Sequence, residues 1–154
     1  MMVMVGGCSQ DSEPRSVQSP EQRIAAVKEA TQRVELELVG LIPAEKVVSV
    51  KQEELGSLLS CSDDADQWAG HSRLRLTPGV DSTALTDSLE TAAKQKGFEV
   101  DRDAAVDGFP RLKVHTKSGI SLLIGADGDG TEMRVSSFSA CFSVPTDFVP
   151  DPSY

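Results

Sequence analysis

Residues 111–135 read RLKVHTKSGISLLIGADGDGTEMRV, and they contain the clearest secondary-structure pattern in the chain. Charged and apolar residues alternate at 111–115 and again at 132–135, which is typical of half-buried strands. Two turns, Ser118-Gly119 and Asp127 to Gly130, separate the apolar runs, and strands joined by short turns pair antiparallel. With an earlier apolar run, the segment predicts four strands, at residues 98–103, 111–116, 120–126 and 131–141.

Two amphipathic helices are predicted upstream of these strands. Between residues 20 and 40, apolar side chains recur every three or four positions, with Pro20 at the start and Gly40 at the end. The other charged and polar positions of this helix, Glu35 among them, are expected on its exposed faces. Asp81 suits the N-cap of the second helix and Gly97 its left-handed C-cap.

The stretch between the helices predicts two further strands, at residues 45–54 and 72–77. Residues 62–70, around Trp68, are rich in aspartate and are expected to form an acidic loop. The order helix, strand, strand, helix and four strands predicts an α+β fold. We expect an antiparallel sheet of about five to six strands with two helices packed on one face.

Composition excludes several functional classes. The 154 residues include 15 Lys plus Arg and 24 Asp plus Glu, which gives a formal net charge of −9. This balance argues against a nucleic-acid partner, because such proteins present a basic surface. The sequence contains no strand-turn-helix nucleophile motif and no CxxC or HxxxH spacing. We therefore predict a protein that is not an enzyme and holds no metal and no cofactor.

The first residues, 1–8, read MMVMVGGC. The segment from Val5 to Cys8 resembles a bacterial lipobox, in which an aliphatic residue and two small residues precede a lipidated cysteine. The apolar stretch before it is shorter than a signal peptide needs, which predicts a start codon further upstream. A chance Gly-Gly-Cys at the terminus is the alternative. Two acyl chains on Cys8 would give stable membrane anchoring, whereas a single chain binds only marginally.

A polar segment follows the lipobox-like start. Residues 9–20 read SQDSEPRSVQSP, without hydrophobic periodicity, and such a composition cannot bury enough surface to fold. We expect it to tether a lipidated Cys8 to the folded domain. The predicted organisation is a signal-peptide remnant with lipobox at 1–8, a tether at 9–19, a single α+β domain at 20–146 and an irregular tail at 147–154.

The other two cysteines, Cys61 and Cys141, are the only pair left if Cys8 is lipidated. An even remainder in an exported protein favours a disulfide. The alternatives are two free buried thiols in a cytosolic protein, or a metal site. A metal site is disfavoured because His71 and His115 are far apart in sequence.

Two acidic segments resemble cation sites but have simpler interpretations. Residues 127–130, Asp-Gly-Asp-Gly, resemble the start of a calcium loop, yet Glu132 follows too soon to be its final ligand. Asp-Gly is also a frequent hairpin turn signal. Asp63, Asp64 and Asp66 are expected in a solvated loop, since nearby carboxylates repel one another.

Cationic residues alternate with apolar ones in the predicted strands. The candidate ligand-binding residues are Arg73, Arg75, Arg111 and Lys113, with His115 and Arg134 on the same predicted face. If these strands are neighbours, the cations form a basic stripe that would bind an anionic partner. The alternative is that Glu99, Asp101 and Asp103, expected on that face, pair with them across strands.

Five features occur together in this chain: the lipobox-like start, the polar tether, Cys61 shortly before Trp68, the segment from Val80 to Phe98, and residues 139–142, Ser-Ala-Cys-Phe. In these the chain resembles small cell-envelope lipoproteins of actinobacteria. The resemblance implies an anchored extracytoplasmic domain with a disulfide, and it names no activity.

We therefore expect a lipid-anchored protein on the extracytoplasmic face of the cell membrane. Its partners would be the membrane itself and an envelope protein or an anionic envelope component. An envelope hydrolase with an unrecognised active site and a purely structural lipoprotein are the alternatives.

The anchor can be tested directly. Full-length protein expressed with its upstream residues should partition into membranes, and Cys8→Ser should release it, because the serine cannot receive the lipid. Membrane fractionation followed by detection of the protein measures this. If the unsubstituted protein is found in the soluble fraction, the lipoprotein hypothesis is wrong.

Overall fold

The computed structural model describes residues 18–154, except for the side chains of residues 104–106. Cys8 and the predicted tether up to residue 17 lie outside the described residues. In chain order the elements are α1 (Pro20–Val39), β1 (Val47–Gln52), β2 (Ser57–Ser62), β3 (Ala65–Leu76), α2 (Ser82–Lys96), β4 (Glu99–Val106), β5 (Phe109–His115), β6 (Ser121–Asp127), β7 (Glu132–Phe138) and β8 (Phe142–Ser143).

All of these strands belong to one antiparallel sheet, and its main path runs β1-β3-β7-β6-β5-β4. The two remaining strands, β2 and β8, each pair with β3. The predicted α+β class is confirmed. The sheet has eight strands instead of the expected five to six, because β2 and β8 were not predicted.

The largest difference from the prediction lies around Trp68. Residues 62–70, expected as an acidic loop, contain only a short turn, and β3 begins at Ala65. Trp68 is fully buried and lies opposite Leu58 of β2. The first half of β3 has few apolar residues to alternate with its polar ones, so its sequence lacks the pattern of a strand.

Both helices begin and end close to the predicted residues. Ser19 and Gln22 form a reciprocal capping box at the start of α1, where Pro20 is the first residue. The Asp81 carboxylate accepts hydrogen bonds from the amides of Thr83 (2.9 Å) and Ala84 (3.1 Å) at the start of α2. Gly97 ends α2 with a φ of 99°, a backbone conformation that favours glycine.

The main core lies between the helices and one face of the sheet. Inward-facing strand residues such as Leu74, Leu112 and Ile124 pack with Leu38 of α1 and Leu89 of α2. Since both helices contribute to this one core, they cover the same face. The opposite face of the sheet, here called the open face, has no described helix packed on it.

A smaller cluster surrounds the indole ring of Trp68. Ile24 of α1 and Phe142 of β8 pack there. A Cβ atom at Gly70 would lie 2.1 Å from the ring, which explains the glycine at that position. Tyr154 also packs on this cluster, and its main-chain oxygen accepts a hydrogen bond from Trp68 Nε1 (3.2 Å). The tail after β8 is irregular, but its last residue is fixed by these contacts.

Glu35 is buried, contrary to the expectation that it lies on an exposed face of α1. Its side chain is fully inaccessible and accepts hydrogen bonds from the hydroxyls of Ser72 in β3 and Ser137 (2.5 Å) in β7. Glu35 follows Thr31 by one helical turn, so it lies on the buried stripe of the helix. The two hydroxyls make the burial of a carboxyl group tolerable.

The predicted disulfide between Cys61 and Cys141 is confirmed, with a Cα–Cα distance of 6.3 Å. Cys61 lies in β2, and Cys141 immediately precedes β8. The bond therefore links the two strands that lie off the main path of the sheet.

We expect reduction of the disulfide to destabilise the protein. The bond closes a loop between residues separated by 80 positions, which on the chain-entropy model stabilises by about 4–5 kcal/mol at most. Thermal unfolding with and without reductant should show a clear drop in melting temperature. A Cys61→Ser, Cys141→Ser double variant should be insensitive to reductant, and equal melting temperatures for the unsubstituted protein would contradict the prediction.

Replacing Glu35 should be costly as well. Glu35→Ala leaves two buried hydroxyls without an acceptor, at about 1–3 kcal/mol each, and we expect a loss of at least about 2 kcal/mol of unfolding free energy. Urea denaturation measures this, with Glu37→Ala, an exposed position of the same helix, as the control. A triple Glu35→Leu, Ser72→Ala, Ser137→Ala variant should recover much of the loss. If Glu35→Ala leaves the unfolding free energy nearly unchanged, the hydrogen bonds of Glu35 with Ser72 and Ser137 do not stabilise the fold.

Candidate functional site

The open face of the sheet brings cations from four strands into one line. In the register of the sheet, the successive cross-strand neighbours on this face are Lys51, Arg73, Arg134, Gly125, Arg111 and Asp103. We call Lys51, Arg73, Arg134 and Arg111 the basic row. It spans four strand spacings, about 19 Å, from β1 to β5.

The four predicted ligand-binding residues all lie on the open face. Arg73 and Arg111 belong to the basic row, while Arg75 and Lys113 lie on either side of it, two positions along β3 and β5. Lys51 was not predicted. Its strand is interrupted by an irregularity in register between Val47 and Ser49, so the β1 sequence does not alternate.

Among residues 18–154, carboxylates form ion pairs with the two ends of the basic row. Lys51 Nζ lies 3.1 Å from Glu53 Oε1, and the guanidinium of Arg111 lies 3.0 Å from Asp103 Oδ2. The hydrogen bond from Lys51 is the main reason that the pKa of Glu53 is lowered, and His71 and Arg73 contribute smaller attractions. The alternative of cross-strand neutralisation therefore holds for Asp103 and Arg111.

The middle of the row has no such compensation. Among the carboxylates of residues 18–154, none lies within 4.0 Å of the charged groups of Arg73 and Arg134. The two arginines are directly opposite each other on β3 and β7 and both are exposed. Like charges in this position are unfavourable for the sheet. The arrangement therefore places two arginines that have no direct ion pair with a described carboxylate at the centre of the open face.

The remaining ions on the open face are arranged differently. Asp101 lies opposite Lys113, but the two make no ion pair within 4.0 Å. Arg75 lies opposite Glu132 of β7.

On the other face of the sheet, Arg102 of β4 forms ion pairs with Asp87 and Glu90 (2.8 Å) of α2. Hydrogen bonds from Lys94 and then from Arg102 lower the pKa of Glu90.

Two depressions adjoin Arg134. The first, of about 220 Å³, lies over Gly125 and has mixed charge, since Arg111, Asp107 and Asp127 also line it. The second is about 290 Å³, and none of the residues that line it is acidic. Besides Arg134 its lining includes Leu59, Ala69, His71, Ser136 and Phe138. We call this second depression the side groove.

A serine, a histidine and a carboxylate also meet on the open face. His115 Nδ1 lies 3.1 Å from Ser121 Oγ, and Glu99 lies opposite His115 in the register. Hydrolysis by such a group needs preorganised donors for an oxyanion. Here β5 and β6 are interior strands, whose main-chain amides are used in pairing with their neighbours. Neither His115 nor Ser121 lines either of the two depressions that adjoin Arg134.

The segment at 127–130, which resembled the start of a calcium loop, has a structural role. Residues 127–130 make the turn between β6 and β7, with Gly128 and Gly130 at positive φ. The Asp129 carboxylate accepts hydrogen bonds from the hydroxyl and amide of Thr131, which lower its pKa. Within residues 18–154, no group of three or more His, Cys, Asp or Glu side chains could hold a metal ion.

The same part of the chain contains no helix that is both long and apolar enough to cross a membrane. Comparison with known proteins gives no match to a family model, a curated protein or a solved structure.

Proposed function

We propose that this chain is a lipid-anchored extracytoplasmic binding module without catalytic activity, whose open face binds an anionic component of the cell envelope. The observation that carries the proposal is the basic row, which crosses the sheet of a protein whose net charge is −9. The lipid anchor would be Cys8, and the binding residues would include Arg73, Arg75, Arg111 and Lys113.

The disulfide supports an extracytoplasmic location. Cys61 and Cys141 form a disulfide bond. Disulfide bonds form and persist in oxidising compartments and are rare in the cytosol. The lipobox-like segment from Val5 to Cys8 points to the same side of the membrane, independently of the disulfide.

The shape of the open face favours binding over hydrolysis. His115 and Ser121 lie on the flat part of a paired sheet, away from the depressions described above. An enzyme of the envelope would need a pocket in which a serine, a histidine and oxyanion donors converge. A flat sheet with exposed cations suits an extended or surface-bound anion instead.

Stability alone is a weak reason for the basic row. An exposed ion pair contributes about 0–1 kcal/mol, and the arginines at the centre of the row have no ion pair with any residue that the structure describes. Arginine forks bind carboxylate and phosphate groups through two parallel hydrogen bonds, so several of them on one face suit a polyvalent anion. We infer that the basic row is a ligand-binding surface.

Charge reversal on the open face tests the proposal. Arg73→Glu with Lys113→Glu, in a Cys8→Ser background that removes the anchor, should abolish most binding to vesicles of phosphatidylglycerol in phosphatidylcholine. Both positions are exposed, so the fold should tolerate the change. Binding by the parent should fall steeply between low and high salt, because exposed charges are screened within about 10 Å at 0.1 M. Vesicle sedimentation at two salt concentrations measures both effects.

The control is an equal change of net charge on the helix side of the domain. Arg33→Glu with Lys96→Glu, at exposed positions of α1 and α2, should leave vesicle binding nearly intact. If both double variants lose binding equally, net charge and not the open face is responsible. If the Cys8→Ser parent binds neither these vesicles nor an anionic glycopolymer at low salt, the proposed function is wrong.

A further inference from the structure

We propose that Arg73 and Arg134, which we call the central pair, form a binding site for one phosphomonoester group, with the organic part of the ligand in the side groove. This inference rests on the proposed function, because it assigns the ligand chemistry of the same open face. It predicts selectivity among anions, whereas the proposed function requires only attraction to negative charge.

The charge balance of the row favours a dianion. Lys51 and Arg111, at its ends, already have the carboxylates of Glu53 and Asp103 as partners. The central pair contributes two positive charges that no carboxylate of the described residues approaches within 4.0 Å. A carboxylate or phosphodiester carries one negative charge, but a phosphomonoester carries about −1.5 to −2 at pH 7. Of these three groups, the phosphomonoester alone carries enough charge to compensate both arginines.

The geometry of the central pair also suits a group with several acceptor oxygens. Side chains directly opposite each other in an antiparallel pair have Cβ atoms about 4.5–5.5 Å apart. Arg73 and Arg134 have this relation, so two guanidinium forks can reach one small anion from adjacent strands. The three terminal oxygens of a phosphomonoester can accept hydrogen bonds from both forks.

The side groove explains where the rest of the ligand would lie. It begins at Arg134 and continues along β3 and β7 to Phe138, with Leu59 and Ala69 as apolar contacts. Ser136 and His71 add polar groups, and none of the lining residues is acidic. Its volume of about 290 Å³ accommodates a ring or short-chain substituent. The depression over Gly125 is a poorer candidate, because Asp107 and Asp127 would repel the anion.

Titration of the full chain, in its Cys8→Ser form, with phenyl phosphate, inorganic phosphate and acetate tests the site. We expect phenyl phosphate to bind most tightly and acetate most weakly, with amide resonance shifts at Ser136 and Phe138. Arg73→Gln and Arg134→Gln should each weaken phenyl phosphate binding about tenfold, since a charge-assisted hydrogen bond is lost. The matched control is Arg33→Gln, the same substitution at an exposed position of α1 outside the open face, which should change the affinity less than about twofold.

A second variant separates the two parts of the site. Leu59→Ser, at a position that is 42% exposed, should weaken binding of phenyl phosphate but leave inorganic phosphate unchanged. Vesicles of phosphatidic acid and of phosphatidylglycerol, at equal surface charge, identify the source of the group. Stronger binding to phosphatidic acid indicates a lipid headgroup, and binding of phenyl phosphate without that preference indicates a soluble ester; both agree with the site.

Two other results would contradict the inference in different ways. If Arg73→Gln and Arg134→Gln leave phenyl phosphate binding unchanged, or if acetate binds as tightly as phenyl phosphate at equal ionic strength, the face attracts anions without a phosphomonoester site. In that case the proposed function stands and this inference is wrong. If the Cys8→Ser parent binds none of these anions or vesicles and no anionic glycopolymer, both are wrong.

Discussion

The strand β3 is the element on which the rest of the fold depends, because it alone pairs with four other strands. Its second half joins β1 to β7, and its first half pairs with β2 and β8. A shift of one residue in its register would move Leu74 to the open face and Arg73 into the core. Glu35 opposes such a shift, since it accepts hydrogen bonds from Ser72 in β3 and from Ser137 in β7. A buried polar contact between helix and sheet thereby fixes which side chains face solvent.

The same constraint determines the candidate site. Cross-strand neighbours share a face, so once Leu74 packs inward, Arg73 must point outward beside Arg134. The basic row is thus a consequence of the register that buries the core, and its cations are contributed by residues far apart in sequence. Gly125 lies in the line between Arg134 and Arg111 and has no side chain. A Cβ atom at that position would lie only 2.6 Å from Arg111 Cγ, so a larger residue would collide with Arg111. The centre of positive charge consequently falls on β3 and β7.

The sequence predicted the elements whose signals are local. Capping residues and apolar stripes identify α1 and α2, and turn glycines separate β5, β6 and β7. The strand β2 and the first half of β3 escaped prediction because their stability comes from long-range contacts, such as Trp68 against Ile24 and the disulfide at Cys61. The expected exposure of Glu35 was wrong for a related reason. A charged residue of a helix is usually exposed, and the two serines that bind Glu35 are 37 and 102 positions away in sequence. The alternation at Arg73 and Arg111 did predict their common face. Whether each arginine pairs with a carboxylate depends on the register of the strands.

The distribution of charge bears on how an anchored domain would meet an anionic surface. The whole chain has a net charge of −9, so most orientations near such a surface are repelled, whereas the open face is attracted. With screening over about 10 Å at 0.1 M salt, only the surface nearest the ligand contributes. An anchor at Cys8 would leave at most about 40 Å of chain before Pro20, long enough for the domain to turn its open face toward a membrane. An anchor at Cys8 would also hold the domain near its ligand at a high effective concentration, so that each arginine contact need only be weak.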